Sequence, residues 1–290
     1  MSSIYKTAAG KDQILALYRQ NWDLLGLTLE HQAIPTRYGD THVVVSGPVN
    51  APPMVIFHGG NMISPVSFAW LASLAASYRL YAPDTVGHPG LSAETRLSPK
   101  TNQYGEWASD VISGLGLRQP IVQGSSYGAG IVLNLAACAP EQIGKAILVV
   151  PSGLVPMPLV SLATRILVPM LLYRITRRRA WLVRSIQPMI DPPPDHVVEI
   201  TGKVFESVRI EPEMPRLIQP GDLACLKAPV LVLAAEKDVF FPARQVVARA
   251  PQVIPSLVAA ETIAGSTHFI PPERWPWLCD RLRRFVEQGE

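Results

Sequence analysis

Three cysteines in 290 residues, Cys138, Cys225 and Cys279, make an odd trio without paired spacing, which argues against a disulfide framework and against a cysteine-based zinc site. Charge is scarce as well. Only 17% of residues are Asp, Glu, Lys or Arg, and 26 bases against 23 acids leave a net charge of +3, which argues against a general nucleic-acid-binding surface. Acids are missing altogether between Glu141 and Asp191, a stretch that holds Arg165, Arg174, Arg177, Arg178, Arg179 and Arg184. Without those six arginines, 20 bases face 23 acids, so the basic character belongs to one segment. No run reaches the roughly 18 to 20 apolar residues of a membrane span, and the N-terminal MSSIYKTAAGKDQ lacks the apolar centre of a secretory leader. The expectation is a cytoplasmic chain in a reducing compartment, monomer or homodimer, with no membrane span and no nucleic-acid partner.

Apolar residues are plentiful at 48%, enough for one large domain with an extensive core. In KDQILALYRQNWDLLGL, residues 11–27, Ile14, Leu17, Tyr18, Trp22 and Leu25 recur at helical spacing, predicting an amphipathic helix used for packing. Strand-like runs at 32–38 and 41–46 flank the turn signal Gly39-Asp40 and predict an antiparallel hairpin. From Pro52 the pattern becomes short continuous apolar runs, as in parallel strands buried on both faces. These are PMVIFHGG, RLYAPD, PIVQGSS, AILVVPSG, PVLVLAAEKD and a sixth, SLVAAETIAG. Three of them open with proline, where a missing N–H at a strand's first residue is tolerated. Helical stretches at 65–76, 101–115 and 127–138 alternate with them, which predicts an α/β doubly wound, mostly parallel sheet. Between 154 and 223 the alternation stops in favour of helices punctuated by Pro158, Pro169 and DPPPD. That segment is predicted to be a helical cap inserted into a core of residues 1–153 and 224–290.

The stretch VQGSSYGAG, residues 122–130, sets two serines among three glycines at the end of a strand-like run. Only the register Gly124-Ser125-Ser126-Tyr127-Gly128 satisfies G-x-S-x-G, which makes Ser126 the candidate nucleophile. A serine on a tight strand-to-helix turn needs small residues two positions away on either side, and Gly124 and Gly128 supply them. The turn aims the N-terminus of the next helix at the site, so the N–H of Tyr127 can donate to developing negative charge. Gly130 is expected to ease packing of helix on strand. Serine needs a base, and the base needs an orienting carboxylate. His268 follows the last strand-like run, in AGSTHFIPPE, and Asp238 ends LVLAAEKD at the carboxyl end of a buried strand. Glu236 competes with Asp238, whose spacing to Pro242 favours it.

With GSSYG, EKD and GSTH in that order, the chain resembles the α/β-hydrolase-fold serine hydrolases over nearly its whole length. The resemblance implies that FHGG, residues 57–60, is the oxyanion loop with Gly60 supplying a second N–H beside that of Tyr127, and that DTVGHPGLS follows the next strand. The family often has histidine or glutamine before the nucleophile. This chain has Ser125 there, expected to shape the pocket and leave the triad intact.

The implied activity is a carboxylesterase acting on small to medium apolar esters through an acyl-enzyme on Ser126, with a small-molecule ester as partner and no metal or organic cofactor. The same triad also suits C–C bond or amide hydrolysis, and a hydrolase fold can serve as a slow-turnover ligand sensor. A haloalkane dehalogenase is disfavoured, because it needs aspartate at position 126. His58 reads as an architectural hydrogen-bonder or a second base. His31, His42, His88 and His196 read as surface or loop residues, with His88 nearest the mouth. Leu159, Leu162, Ile166, Leu167 and Leu171 form a helical stripe that is either core or the wall of an acyl or alcohol pocket, and Leu167 and Leu171 are taken as substrate-binding candidates. Met157, Met170 and Met189 add adaptable apolar surface. The arginine run is a solvated cap face, or one turned to anionic lipid or an acidic partner.

Overall fold

The computed structural model describes residues 3–289. Its centre is an eight-stranded sheet in the order β1-β2-β4-β3-β5-β6-β7-β8, made of β1 (Glu30–Ile34), β2 (Thr41–Ser46), β3 (Pro53–Phe57), β4 (Arg79–Pro83), β5 (Ile121–Ser125), β6 (Lys145–Val149), β7 (Val230–Ala235) and β8 (Leu257–Ile263). The expected hairpin is β1 and β2, paired from Glu30↔Val45 to Ile34↔Thr41, so the first strand starts and ends earlier than its apolar pattern suggests. β2 runs antiparallel to β4, and β3 to β8 are parallel to one another.

Alternation along each strand divides the core in two. Val55 and Phe57 of β3, Val122 of β5 and Val232 of β7 face one side, covered by α3 (Gln103–Gly114), α4 (Tyr127–Cys138) and α9 (Ala243–Val253). Met54 and Ile56, Ile147 of β6 and Leu231 and Leu233 of β7 face the other, covered by α1 (Ala8–Asp23), α2 (Ser64–Phe68) with the 3-10 turns after it, and α10 (Trp275–Gln288). The N-terminal helix packs through Ile14, Leu17, Tyr18 and Trp22, as its spacing predicts, and Thr7 caps it by accepting the Gly10 N–H. Both clusters run without a break into the strands, so burial on two faces explains why these runs lack polar positions.

The helical insertion comprises α5 (Leu159–Leu162), a π turn (Ala163–Leu167), α6 (Val168–Thr176), α7 (Arg179–Ile186) and α8 (Asp195–Ser207). Its last helix ends at Ser207. The return segment packs into the main core through Ile218 and Leu223, and the Ile218 N–H donates to Gly153 O. α5, the π turn and α6 form one unbroken 18-residue run, Leu159–Thr176, with mean hydropathy 1.4. That corrects the expectation that no stretch is long and apolar enough to span a membrane, although one side of this run is packed into the cap.

Candidate active site

Ser126 stands between β5 and α4 with φ 54° and ψ −116°, a left-handed backbone conformation that costs a non-glycine residue about 1 to 3 kcal/mol. The surroundings hold it there. Its N–H donates to Val149 O at 2.9 Å, and its carbonyl accepts from the Ser152 N–H and Oγ at 3.2 and 2.9 Å. A Cβ on Gly124 would lie 2.4 Å from Gly128 O, and one on Gly128 would lie 2.0 Å from Phe57 O, so both glycines are steric necessities of the turn. Gly130 differs from expectation. Its missing Cβ leaves room for Pro215 of the return segment and for Ser152 Oγ, rather than for a strand.

His268 Nε2 lies 2.9 Å from Ser126 Oγ, and His268 Nδ1 lies 2.9 and 3.0 Å from the two carboxylate oxygens of Asp238. A carboxylate there accepts the Nδ1–H, which leaves the Nε2 lone pair for the serine hydroxyl. Asp238 is oriented in turn, because its Oδ1 accepts the N–H groups of Phe240 and Phe241 at 2.8 and 3.1 Å. The loops that carry acid and base are stitched together by Glu236 N–H to Ile263 O and Lys237 N–H to Ser266 O. Asp238 and His268 are buried, while Ser126 is partly exposed and reachable. Glu236, the competing acid, is exposed and accepts the Gly265 N–H instead. Such a chain can draw a proton from the hydroxyl as its oxygen attacks an electrophile.

The loop opposite is built for rigidity. His58 is fully buried and neutral in role: its Nδ1 faces Gly59 O at 2.8 Å, and its Nε2 accepts the Thr85 N–H at 2.9 Å. Burial pushes its pKa down. It therefore braces the loop and does not face the serine. His88, expected at the surface or mouth, is buried behind the same loop. Its Nδ1 accepts the Asn61 N–H at 3.0 Å, and burial holds it well below the ordinary histidine range. The Asn61 side chain is clamped to Glu211 of the return segment by two hydrogen bonds of 2.7 and 2.8 Å. Gly60 lies flat against Tyr127, where a Cβ would come within 2.9 Å of the ring. Among the described residues no oxygen accepts from the N–H of Gly60 or of Tyr127, and both remain free for a ligand. His42 is another departure. It is half-buried between Asp84 and His31, with ring nitrogens 3.1 and 3.0 Å from their partners. His31 and His196 are exposed, as expected.

Ser125 does not shape a pocket. It is buried beneath the turn, where its Oγ accepts the Gln123 amide at 2.9 Å. The leucine stripe divides between two faces. Leu162 and Ile166, with Met170, point into a cap cluster with Met189, Val239 and half-buried Met157, Phe240 and Phe269, whereas Leu167 and Leu171 are 60% and 56% exposed. These two line an open groove of about 570 Å3 that contains none of the triad or loop residues, and the structure does not bring them to Ser126. Phe240 and Phe269 are the aromatic neighbours that the sequence reading missed; the Phe240 ring centroid is 4.6 Å from that of His268. No group of three or more His, Cys, Asp or Glu is placed to hold a metal ion among the described residues.

Residues 54–281 match the model of the alpha/beta hydrolase family. The carboxylesterase YbfK of Bacillus subtilis is 23% identical over 281 residues, which cover 94% of this chain and 93% of that protein. Among solved structures, the naproxen esterase (carboxylesterase NP) of Bacillus subtilis superposes with a TM-score of 0.83 at 22% identity, over 97% of this chain and 100% of that one. The crystal structure of carboxylesterase CesB (YbfK) from the same organism gives 0.80 at 22% identity, over 98% and 100%.

Proposed function

This chain belongs to the alpha/beta hydrolase family, and we propose that it is a carboxylesterase that cleaves small to medium apolar carboxylic esters through an acyl-enzyme on Ser126. The observation that carries the reading is the hydrogen-bonded series Ser126, His268, Asp238, with 2.9 Å at each link. Ser126 Oγ attacks the ester carbonyl carbon while its proton passes to His268 Nε2, and Asp238 steadies the imidazolium through Nδ1. The carbonyl oxygen becomes an oxyanion held by the N–H groups of Gly60 and Tyr127. Collapse breaks the bond to the alcohol oxygen, which takes the proton from His268. Water attacks the acyl-enzyme by the same route and releases the acid.

Support for an apolar substrate comes from the surroundings. The rings of Phe240, Phe241 and Phe269 surround His268, and the cap's inward cluster adds Met157 and Met189 with Leu162 and Ile166. Such side chains reward an acyl or alcohol chain and offer nothing to a charged one. The relatives named carboxylesterase and naproxen esterase favour an ester over the C–C bonds and amides that the same triad can cleave. A fluorophosphonate probe should label the peptide containing Ser126, and p-nitrophenyl esters from acetate to octanoate should be turned over faster than the matching anilides. Labelling with no ester turnover would point to the sensor reading instead.

A further inference from the structure

We propose that the outward face of the cap helix run Leu159–Thr176 is a docking surface for an anionic lipid bilayer. The run is apolar on two sides. Leu162, Ile166 and Met170 turn inward, while Val160, Leu167, Val168, Leu171 and Ile175 are exposed, Val160 at 81% and Ile175 at 71%. Beyond the π turn, Leu167, Val168, Leu171 and Ile175 follow at i, i+1, i+4 and i+8, which sets these four on one face as a stripe and not as scattered surface residues.

Charge identifies the occupant. Of the six arginines in the acid-free stretch, Arg177 pairs with Glu206 and Arg179 with Asp195, but Arg165, Arg174, Arg178 and Arg184 have no carboxylate partner among the described residues. Beside the stripe lies the open groove, lined by Met170, Leu171 and Phe205 and by Lys6, Arg174, Arg177 and Arg209 with one acid, Glu206. Burial, and after it Arg174, Arg209 and Arg177, lower the Lys6 pKa against the pull of Glu206. An apolar stripe edged by unpaired arginines matches the acyl boundary and headgroup layer of an anionic membrane. A second copy of the chain suits it less, because an isologous contact would set these arginines against themselves. The helix lies along the surface and does not cross it, since Leu162, Ile166 and Met170 on its inner face are already packed in the cap.

Docking is read by co-sedimentation of the full chain with phosphatidylglycerol–phosphatidylcholine vesicles against pure phosphatidylcholine vesicles. Binding to the anionic vesicles is expected, weakened at about 0.5 M salt. Arg174→Ser with Arg178→Ser should lower partitioning roughly fivefold per arginine, and Val168→Asn with Ile175→Asn roughly tenfold or more. Melting curves like that of the parent confirm that each pair folds, and Ser126→Ala should bind as the parent does, which separates docking from turnover. Equal binding to both vesicles, or none, overturns the proposal. So does a monomer–dimer equilibrium abolished by the Val168 and Ile175 pair without vesicle binding, which would make the face an interface between copies.

Discussion

The N–H of Phe269 donates to the carbonyl of Met189 at 3.0 Å, so the residue that follows His268 is hydrogen-bonded to the cap. The base is held from two directions, by Asp238 beneath and by the cap above. In the esterase reading proposed above, a change in the cap's packing would therefore be felt at the histidine.

The first prediction concerns that cap. Ile166→Phe, on its inward face, should shift preference toward shorter esters, because each methylene accommodated is worth about 0.8 kcal/mol, or roughly fourfold in kcat/KM. Leu167→Phe and Leu171→Phe should leave the profile alone, since both side chains point outward. The check is kcat/KM for acetate through octanoate esters, and equal shifts from both faces would contradict the assignment.

Ser126→Ala should lower ester turnover by about 10⁶, as loss of the nucleophile does in other triads. Ser125→Ala should keep most of the activity and lose about 1 kcal/mol of stability with the Gln123 hydrogen bond. Denaturant titration and steady-state rates on both variants separate the two effects.

Asp238→Asn is expected to cost about 10⁴ in kcat, and Glu236→Gln almost nothing. The reason is local. The Phe240 and Phe241 N–H groups require an oxygen at Oδ1, so the new amide nitrogen is turned toward His268 Nδ1 and donates to it. The proton then sits on Nε2, where it cannot accept from Ser126. A higher kcat at raised pH would not rescue a wrong tautomer, and a pH–rate profile tests this.

Steric demand at the turn is a fourth test. Gly128→Ala places a methyl 2.0 Å from Phe57 O and should destabilise the protein by more than about 3 kcal/mol. Gly116→Ala has φ +67° but open space around it, and should cost about 1 kcal/mol, the strain alone. Thermal melts of the two variants should differ accordingly.

The buried histidines predict acid sensitivity. Burial lowers the pKa of His58 and His88, so the folded protein refuses protons that the unfolded chain binds below about pH 6.5. Stability contributed by their neutral forms is present above that value and is lost as pH falls toward the folded pKa values. With both groups less protonated in the folded than in the unfolded state, the slope steepens as pH falls below about 6.5 toward a limit of about 2.7 kcal/mol per pH unit. His58→Gln, which keeps an acceptor for Thr85, should flatten it by about half in unfolding titrations at pH 5 to 6.5.

The series Ser126, Asp238 and His268 was legible in the sequence because each lies beside a strongly patterned element. Gly124 and Gly128 also betray a turn whose steric needs are local. What could not be read depends on orientation. A helix with leucines on both sides carries no sign of which side faces in, and the π turn shifts the phase midway, so Leu167 and Leu171 were assigned to the wrong face. His88 gave no signal either: it lies in a loop with no periodicity, and its partner Asn61 is 27 residues away. The segment after Ser207 was hard to read for a similar reason, since an irregular stretch returning over the core has no pattern that marks the burial of Ile218 and Leu223.

Ser126 and His268 touch across 142 residues of chain. During synthesis the hydroxyl is made first, the acid 112 residues later by position, and the base only after β8 has emerged to pair with β7. A nascent chain thus carries the serine before either of the two groups that face it, and the hydrogen-bonded series closes only once β8 has paired with β7.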